Sequence, residues 1–402
     1  MEIAMKPFEY QNPVKVIFGA GTFARAGEEA ARLGKNALVV SYAEHAHLDD
    51  VLERACANLS AAGVAATPFY EVAPNPEIGM VARGVAAAKA ARADLVVGIG
   101  GGSAMDAAKA IAAGVCYAGG DLWNMVYSRH DDVRAVPPDA ALPTLMIPTL
   151  PATGSEMNMC AVVTNARLAE KSYIWSPCLF PKTAVLDPEL TYSLPPFQTA
   201  CGAIDTISHV LEIYLNGQDK SDLLHAWQEG LMRTVMQNLP SAIAQPDAAD
   251  ARAELMWCAT CALNGWASPG DAWTPMHQVG HVLTTRHQVN HGTSLALIMP
   301  AWMTHFRNVK PDRYEAFARH VMRVDPHGKT REQIIDAGIE AFRGFIENSG
   351  VPTRLSKVGV KPADLAAIVA DVKKVSFNAD GMLACNPAVG EAELAAILAS
   401  AL

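Results

Sequence analysis

The chain has 402 residues, 50% of them apolar and 18% charged, with a formal net charge of −9. Such a chain is globular and long enough for two domains, and its acidic balance, with no Lys/Arg-rich run, argues against nucleic acid or an anionic membrane surface as partner. The longest apolar stretches, around residues 142–150 and 295–303, are broken by Pro148 and Pro300 and are too short to span a bilayer, and the first residues lack a charged-then-apolar signal pattern, so a cytoplasmic protein is expected.

In chain order, the first half alternates β-branched runs with Ala-rich helical stretches. The pattern predicts a strand at 14–18, a helix at 23–33, a strand at 37–41 and a helix at 48–62. A strand at 65–69, a helix at 76–91, a strand at 95–98, a helix at 104–116 and a strand at 145–148 follow. Alternation of this kind indicates an α/β domain with a mainly parallel sheet. The segment Leu190-Thr-Tyr-Ser-Leu-Pro195-Pro196 reads as a hinge, because two prolines resist both helix and sheet. Beyond it, amphipathic helices are predicted at 197–214, 223–238, 250–266, 275–285, 294–306, 311–321, 331–347 and 362–375. The expected organisation is an α/β dinucleotide-binding domain over 1–194 and an all-helical domain over 195–402. Met299, Trp302 and Met303 read as core, while Trp123, Trp266 and Trp273 read as core or as lining of the substrate pocket. Eight cysteines in this length do not form a disulfide scaffold, and Cys258-Ala-Thr-Cys261 reads as two small core positions in a helix.

Two loops carry a nucleotide signal. Val96-Val-Gly-Ile-Gly100-Gly101-Gly102-Ser103 ends a buried strand and opens a helix. Glycines let the backbone come close to a pyrophosphate, and the helix N-terminus offers free N–H groups and a favourable dipole. Ser103 can cap that helix and donate to phosphate, and Asp106 is expected in its first turn, at the positive end. A tight structural turn would read similarly, and the motif is not G-x-G-x-x-G, which disfavours a standard Rossmann dehydrogenase. The second loop, Pro148-Thr149-Leu-Pro-Ala-Thr153-Gly-Ser-Glu156, also follows a buried strand, and its hydroxyls could line a base pocket.

The densest chemistry lies further on. Four histidines, His277, His281, His287 and His291, fall within fifteen residues, and Asp205 and His209 stand at i, i+4 about seventy residues earlier. One turn of helix puts each such pair on one face. Taken singly, an Asp–His pair of this spacing is an ordinary helix-surface pair. Two helices bearing Asp/His and His/His pairs, with a histidine just past a turn, can instead converge on one divalent cation.

These residues match a known family in order and spacing. The chain resembles the iron-containing (group III) alcohol dehydrogenases over essentially its whole length. The resemblance rests on Phe18-Gly-Ala-Gly21, Pro74-Asn-Pro76, Gly100-Gly-Gly-Ser103-Ala-Met-Asp106-Ala-Ala-Lys109, Thr153-Gly-Ser-Glu156, Asp187-Pro188, Asp205…His209, His277…His281…His291 and Asn386-Pro387. Leu150-Pro-Ala-Thr-Gly-Ser-Glu-Met-Asn158, Tyr192-Ser-Leu-Pro-Pro196 and the extra His287 look most like its butanol-dehydrogenase and aldehyde-reductase branch. The resemblance implies an active site in a cleft between the two domains and at least a homodimer, formed through an edge strand near residues 8–17. It implies Asp205, His209, His277 and His291 as ligands of Fe²⁺ or Zn²⁺, and His281 as an unliganded histidine near the nicotinamide. Gly100, Gly101, Gly102, Ser103 and Asp106 would serve the pyrophosphate, and Thr149, Thr153 and Lys171 would contact the cofactor.

The expected activity is hydride transfer between NAD(P)(H) and a small aldehyde or primary alcohol. His281 is expected to relay protons, with His287 in the same part or holding a ligand. NAD-preferring relatives carry Asp at the position of Tyr42, where it would pair with ribose hydroxyls and repel a 2′-phosphate; its absence here favours NADP(H), although Glu44 could take over that contact. Polyol dehydrogenases and dehydroquinate synthases share the architecture. A synthase needs several basic groups for its acidic substrate, and only Arg286 lies close to the proposed ligands in sequence. A non-catalytic metal- or nucleotide-binding protein is the remaining alternative.

Overall fold

A computed structural model describes residues 7–127, 135–217, 221–268 and 274–402. The chain divides into two compact units. One comprises Gln11–Leu194 with Pro246–Thr260; the other comprises Pro195–Gln245 and Cys261–Leu402 together with the start of the chain to Tyr10.

The first unit is built on the strands β1 (Lys15–Phe18), β2 (Asn36–Tyr42), β3 (Ala65–Val72), β4 (Leu95–Gly100), β5 (Thr144–Pro148), β6 (Cys160–Asn165), β7 (Glu170–Trp175) and β8 (Thr183–Leu186). Six of them form one sheet in the order β1-β8-β5-β4-β2-β3, with every pairing parallel. Helices α1 (Ala26–Ala31), α2 (Asp49–Ala61), α3 (Ile78–Ala90) and α4 (Gly102–Cys116) cover it. The two-residue period of a strand sorts the core. Ala37 and Val39 of β2 pack with Ala26, Ala30, Leu52 and Leu59 of α1 and α2. Leu38 and Val40 pack with Val81, Val85, Ala107 and Ile111 of α3 and α4. Strands buried on both faces read as continuous apolar runs, which is why the sequence pattern exposes them.

Three strands were not expected. β6 and β7 form an antiparallel hairpin, and β8 enters the sheet between β1 and β5. The helix expected at 23–33 is a short 3-10 turn at Thr22–Arg25 followed by α1.

The helices that follow are α5 (Pro196–Asn216), α6 (Asp222–Ala244), α7 (Ala249–Ala262), α8 (Pro275–His287), α9 (His291–Phe306), α10 (Pro311–Ala316), α11 (Arg331–Asn348), α12 (Leu365–Ser376) and α13 (Glu391–Ser400). All but α7 lie in the second unit; most of α7 belongs to the first. α5 starts at Pro196, whose fixed φ and missing N–H suit the first helical position. Almost every residue of α5 and α9 is buried, so they are the central helices of this unit. α5 packs on α6 and α9, and α8 packs on α9.

Met299, Trp302 and Met303 are fully buried, as expected, and so is Trp123 at 3% exposure. Trp266 is the exception: it is 53% exposed and rests on Tyr10, with ring centroids 4.9 Å apart. Trp273 lies outside the described residues. Cys258 and Cys261 are buried, as expected. Among the described residues no helix is long and apolar enough to cross a membrane.

Candidate functional site

Three of the predicted nucleotide elements emerge side by side in the first unit. β2, β4 and β5 are neighbours in a parallel sheet, so their C-terminal ends share one edge, the usual ligand-binding edge of such sheets. Tyr42 ends β2, the Gly100–Gly102 turn follows β4, and Thr149 follows β5. The Thr149 N–H donates to the Gly100 carbonyl at 2.9 Å and ties the last two together. A side chain at Gly102 is excluded by Thr153, whose Cγ2 would lie 2.5 Å from the added Cβ. The glycine therefore brings the two loops into contact at the first residue of α4. Tyr42 Oη accepts a hydrogen bond from the Gly101 N–H at 3.0 Å. Burial pushes the phenol up to about 12, so it stays neutral.

Ser103 and Lys171 meet through Asn75. The Asn75 N–H donates to Ser103 Oγ at 3.3 Å, and Lys171 Nζ donates to Asn75 Oδ1 at 2.8 Å. Lys171 sits on β7, so the unexpected hairpin carries this side chain to the loop. Asp106 requires a correction. It is the fifth residue of α4 rather than a first-turn residue, and it is buried. Its Oδ1 accepts from Ser155 Oγ at 2.5 Å and its Oδ2 from the Val162 N–H at 3.0 Å, which binds α4 to the second loop and to β6.

Beside it lies a residue that the sequence motif includes without a role. Lys109 is fully buried, and its Nζ donates to the Ser155 carbonyl and to the Asn158 carbonyl and Oδ1, at 2.9, 3.2 and 3.0 Å. Burial lowers the Lys109 ammonium and raises the Asp106 carboxyl, and their mutual attraction across 3.8 Å opposes both shifts. Glu156 is buried in the same loop and accepts from Thr260 Oγ1 at 2.5 Å.

The histidine-rich segment lies in the second unit. Asp205 and His209 stand one turn apart on buried α5. His277 and His281 are the third and seventh residues of α8; His287 is its last. Gln288 then takes the left-handed conformation that ends many helices, and His291 opens α9. The next residue must be Gly292, because an added Cβ would lie 2.2 Å from the Cys201 carbonyl oxygen on α5. That close approach sets His291 over Asp205.

The ligand atoms of Asp205, His277 and His291 all lie within 4.8 Å of one another. His277 Nε2 is 3.5 Å and His291 Nε2 3.6 Å from Asp205 Oδ1. His209 stands just beside this trio: its Nε2 is 3.8 Å from Asp205 Oδ1, and its ring stacks on that of His277 at 4.6 Å. Asp205 Oδ1 and His277 Nε2 are buried without a hydrogen-bond partner among the described residues. Buried polar atoms left this way are uncommon and call for an unseen partner. Three imidazoles and one carboxylate form a donor set suited to Zn²⁺ or Fe²⁺. His281 faces the same place, with ring centroids 6.3 Å from His277 and 5.6 Å from His291. His287 is half-buried, and its Nε2 also lacks a partner among the described residues.

The charges respond to this crowding. Burial alone would raise the Asp205 carboxyl; the imidazoles of His209, His291 and His277 outweigh it and hold Asp205 well below the usual carboxylate range. Burial lowers His209 to about 4 despite Asp205. Burial would also lower His277, but Glu212 and Asp205 reverse that and raise it to about 9. Glu212 was missed in the sequence. It lies seven residues after Asp205, on the same face of α5, and pairs with His277 Nδ1. Arg286 pairs instead with Asp371 at 2.5 Å and is exposed.

Comparison with known proteins places the chain in a family. Residues 13–188 match the family model for iron-containing alcohol dehydrogenase, and residues 199–402 match the C-terminal model of the Fe-containing alcohol dehydrogenase family. A probable NADH-dependent butanol dehydrogenase of Bacillus subtilis is 35% identical over 367 residues, covering 90% of this chain and 92% of that one. The NADPH-dependent aldehyde reductase YqhD of Escherichia coli is 31% identical, covering 91% and 92%. The crystal structure of NADH-dependent butanol dehydrogenase A from Thermotoga maritima superposes with a TM-score of 0.91 at 33% identity, covering 99% of both chains. With both halves matched by its models and relatives above 30% identity along nine-tenths of its length, the chain belongs to the iron-containing alcohol dehydrogenase family.

Proposed function

We propose that this protein is a metal-dependent aldehyde reductase that uses a nicotinamide cofactor, NADP(H) in preference to NAD(H), and converts small aldehydes to primary alcohols. The observation that carries the reading is the convergence of Asp205, His277 and His291, with His209 alongside, where Asp205 Oδ1 and His277 Nε2 have no hydrogen-bond partner among the described residues. On this reading residues 1–194 bind the cofactor and residues 195–402 hold the metal and the substrate.

Asp205, His209, His277 and His291 would hold one Fe²⁺ or Zn²⁺. Bound there, the cation would polarise the carbonyl oxygen as a Lewis acid, and a nicotinamide would supply the hydride to the carbonyl carbon. The remaining work falls to the protein. Gly100–Gly102 and Ser103 at the N-terminus of α4 would seat the pyrophosphate, with Thr149, Thr153 and Lys171 around it. His281 would donate a proton to the substrate oxygen in reduction and take one back in oxidation. His287 would pass that proton to solvent.

NADP(H) is favoured because a neutral phenol, Tyr42, stands at the end of β2 where a carboxylate would repel a 2′-phosphate, and Glu44 is exposed. The reductase reading is preferred to a synthase because Arg286 is committed to Asp371. A homodimer belongs to the same reading; a single-chain mass by light scattering would speak against that part.

Two binding measurements test the proposal. Protein purified without oxygen should bind about one Fe²⁺ or Zn²⁺ per chain, and Asp205→Asn should lose most of it. Fluorescence titration should give tighter binding of NADPH than of NADH. Failure to bind either metal would remove the reading.

A further inference from the structure

The buried carboxylate of Glu212 has no place among the ligands or the proton path. It is fully buried on α5 and on the face that carries Asp205 and His209. Its Oε2 accepts from the Met276 N–H at 2.6 Å and the His277 N–H at 3.3 Å. Those N–H groups belong to the first turn of α8, where backbone donors have no partner within the helix. Thr274, the residue before that helix, makes no side-chain cap. Glu212 therefore caps α8 from a neighbouring helix, with its charge at the positive end of the dipole. Its second oxygen, Oε1, hydrogen-bonds His277 Nδ1.

These two contacts together fix the chemistry of His277. An ionised carboxylate only accepts, so the hydrogen must sit on Nδ1. In the neutral imidazole that a cation would bind, the lone pair is then on Nε2, the nitrogen that lies 3.5 Å from Asp205 Oδ1 and has no hydrogen-bond partner among the described residues. We propose that Glu212 is a positioning residue of the metal centre: one carboxylate that starts α8, sets the tautomer of His277 and aims its Nε2 at the cation. The proposal rests on the metal-site reading above. It makes the metal centre depend on where α8 begins, because the same side chain governs both.

Glu212→Gln is the informative variant, since it keeps the shape but cannot satisfy both partners. With its oxygen towards the backbone N–H groups, its amide would donate to Nδ1 and force the hydrogen onto Nε2. With its oxygen towards Nδ1, its amide would face two donors. In the full-length protein we expect Zn²⁺ affinity to fall about 10–100-fold, while the circular dichroism of the metal-free variant stays that of the folded protein. A capping role alone would lower the melting temperature of the metal-free protein and leave Zn²⁺ affinity unchanged, and that result would overturn the proposal.

A measurement on the wild type stands independently of whether the variant folds. In Zn²⁺-loaded protein carrying ¹⁵N-histidine, His277 should show a protonated Nδ1 and a metal-bound Nε2. Metal on Nδ1, or no hydrogen on Nδ1, would refute the proposal. Wild-type protein that bound no Zn²⁺ or Fe²⁺ at all would bring down the metal-site reading as well; wild-type binding matched by Glu212→Gln would bring down only the role of Glu212.

Discussion

His277 and His281 lie one turn apart on α8, and substitution should separate them. His277→Ala removes a donor from the trio and should abolish metal binding and turnover together. His281→Ala should retain its metal, read by elemental analysis, and lose kcat by about 10²-fold or more, the usual worth of a general acid. Full metal content and turnover in His277→Ala would show that the site is misplaced. These residues were legible in the sequence because i, i+4 spacing fixes a helical face whatever the helix packs against. Glu212 was not. A carboxylate seven residues after Asp205 is on the same face, but most helical carboxylates face water, and only the packing of α5 reveals one that is fully buried. Tyr42 was legible as the lack of an acid, whereas its bond to Gly101 depends on β2 lying beside β4.

At the scale of elements, α4 anchors both proposed nucleotide loops, and two substitutions should show it. Lys109→Met leaves Asp106 buried without its counter-charge and removes the donor to three acceptors around Ser155 and Asn158. Breaking a buried pair on one side costs about 3–5 kcal/mol, so denaturant unfolding should detect it; a change below about 1 kcal/mol would contradict the described network. Gly102→Ala drives a methyl into Thr153 and should cost about 1–3 kcal/mol. Because the strain falls on the proposed pyrophosphate loop, the Kd for NADPH should rise on the order of tenfold. An unaltered Kd would place the cofactor elsewhere.

The five strands of the first half were readable from their apolar runs. The β6–β7 hairpin was not, for a local reason: β7 does not alternate buried and exposed residues, and the connecting Ala166-Arg-Leu-Ala169 has no Gly or Asn. Ala169 adopts a positive φ of 51°, where a glycine would have announced the turn. β8 is only four residues long, and no helix separates it from the hairpin to mark it as a parallel strand. α13, rich in alanine and leucine near the end of the chain, carries little periodicity to separate it from a loop.

On the scale of the whole molecule, the proposed metal ligands come from α5, α8 and α9, which are drawn from both ends of a segment almost ninety residues long. A cation that joins them should stabilise the helical unit by mass action, by about 2.7 kcal/mol when free metal is a hundredfold above its Kd. Calorimetry of metal-stripped and reloaded protein should therefore show a transition several degrees higher with metal; coincident scans would count against a cation shared by these helices. The parallel sheet was foreseeable from the alternation of strands and helices in the first half. The assignment of Pro246–Thr260 to the first unit was not, because an amphipathic helix does not declare which core it joins.

The most direct test of the central claim is the oxidation of NADPH and NADH by butanal, followed by absorbance, on protein stripped of metal and then given Fe²⁺ or Zn²⁺. Turnover that disappears with the metal, returns with one of these ions and is faster with NADPH is the predicted result. Turnover unaffected by metal removal, or none in any combination with metal shown to be bound, would contradict it.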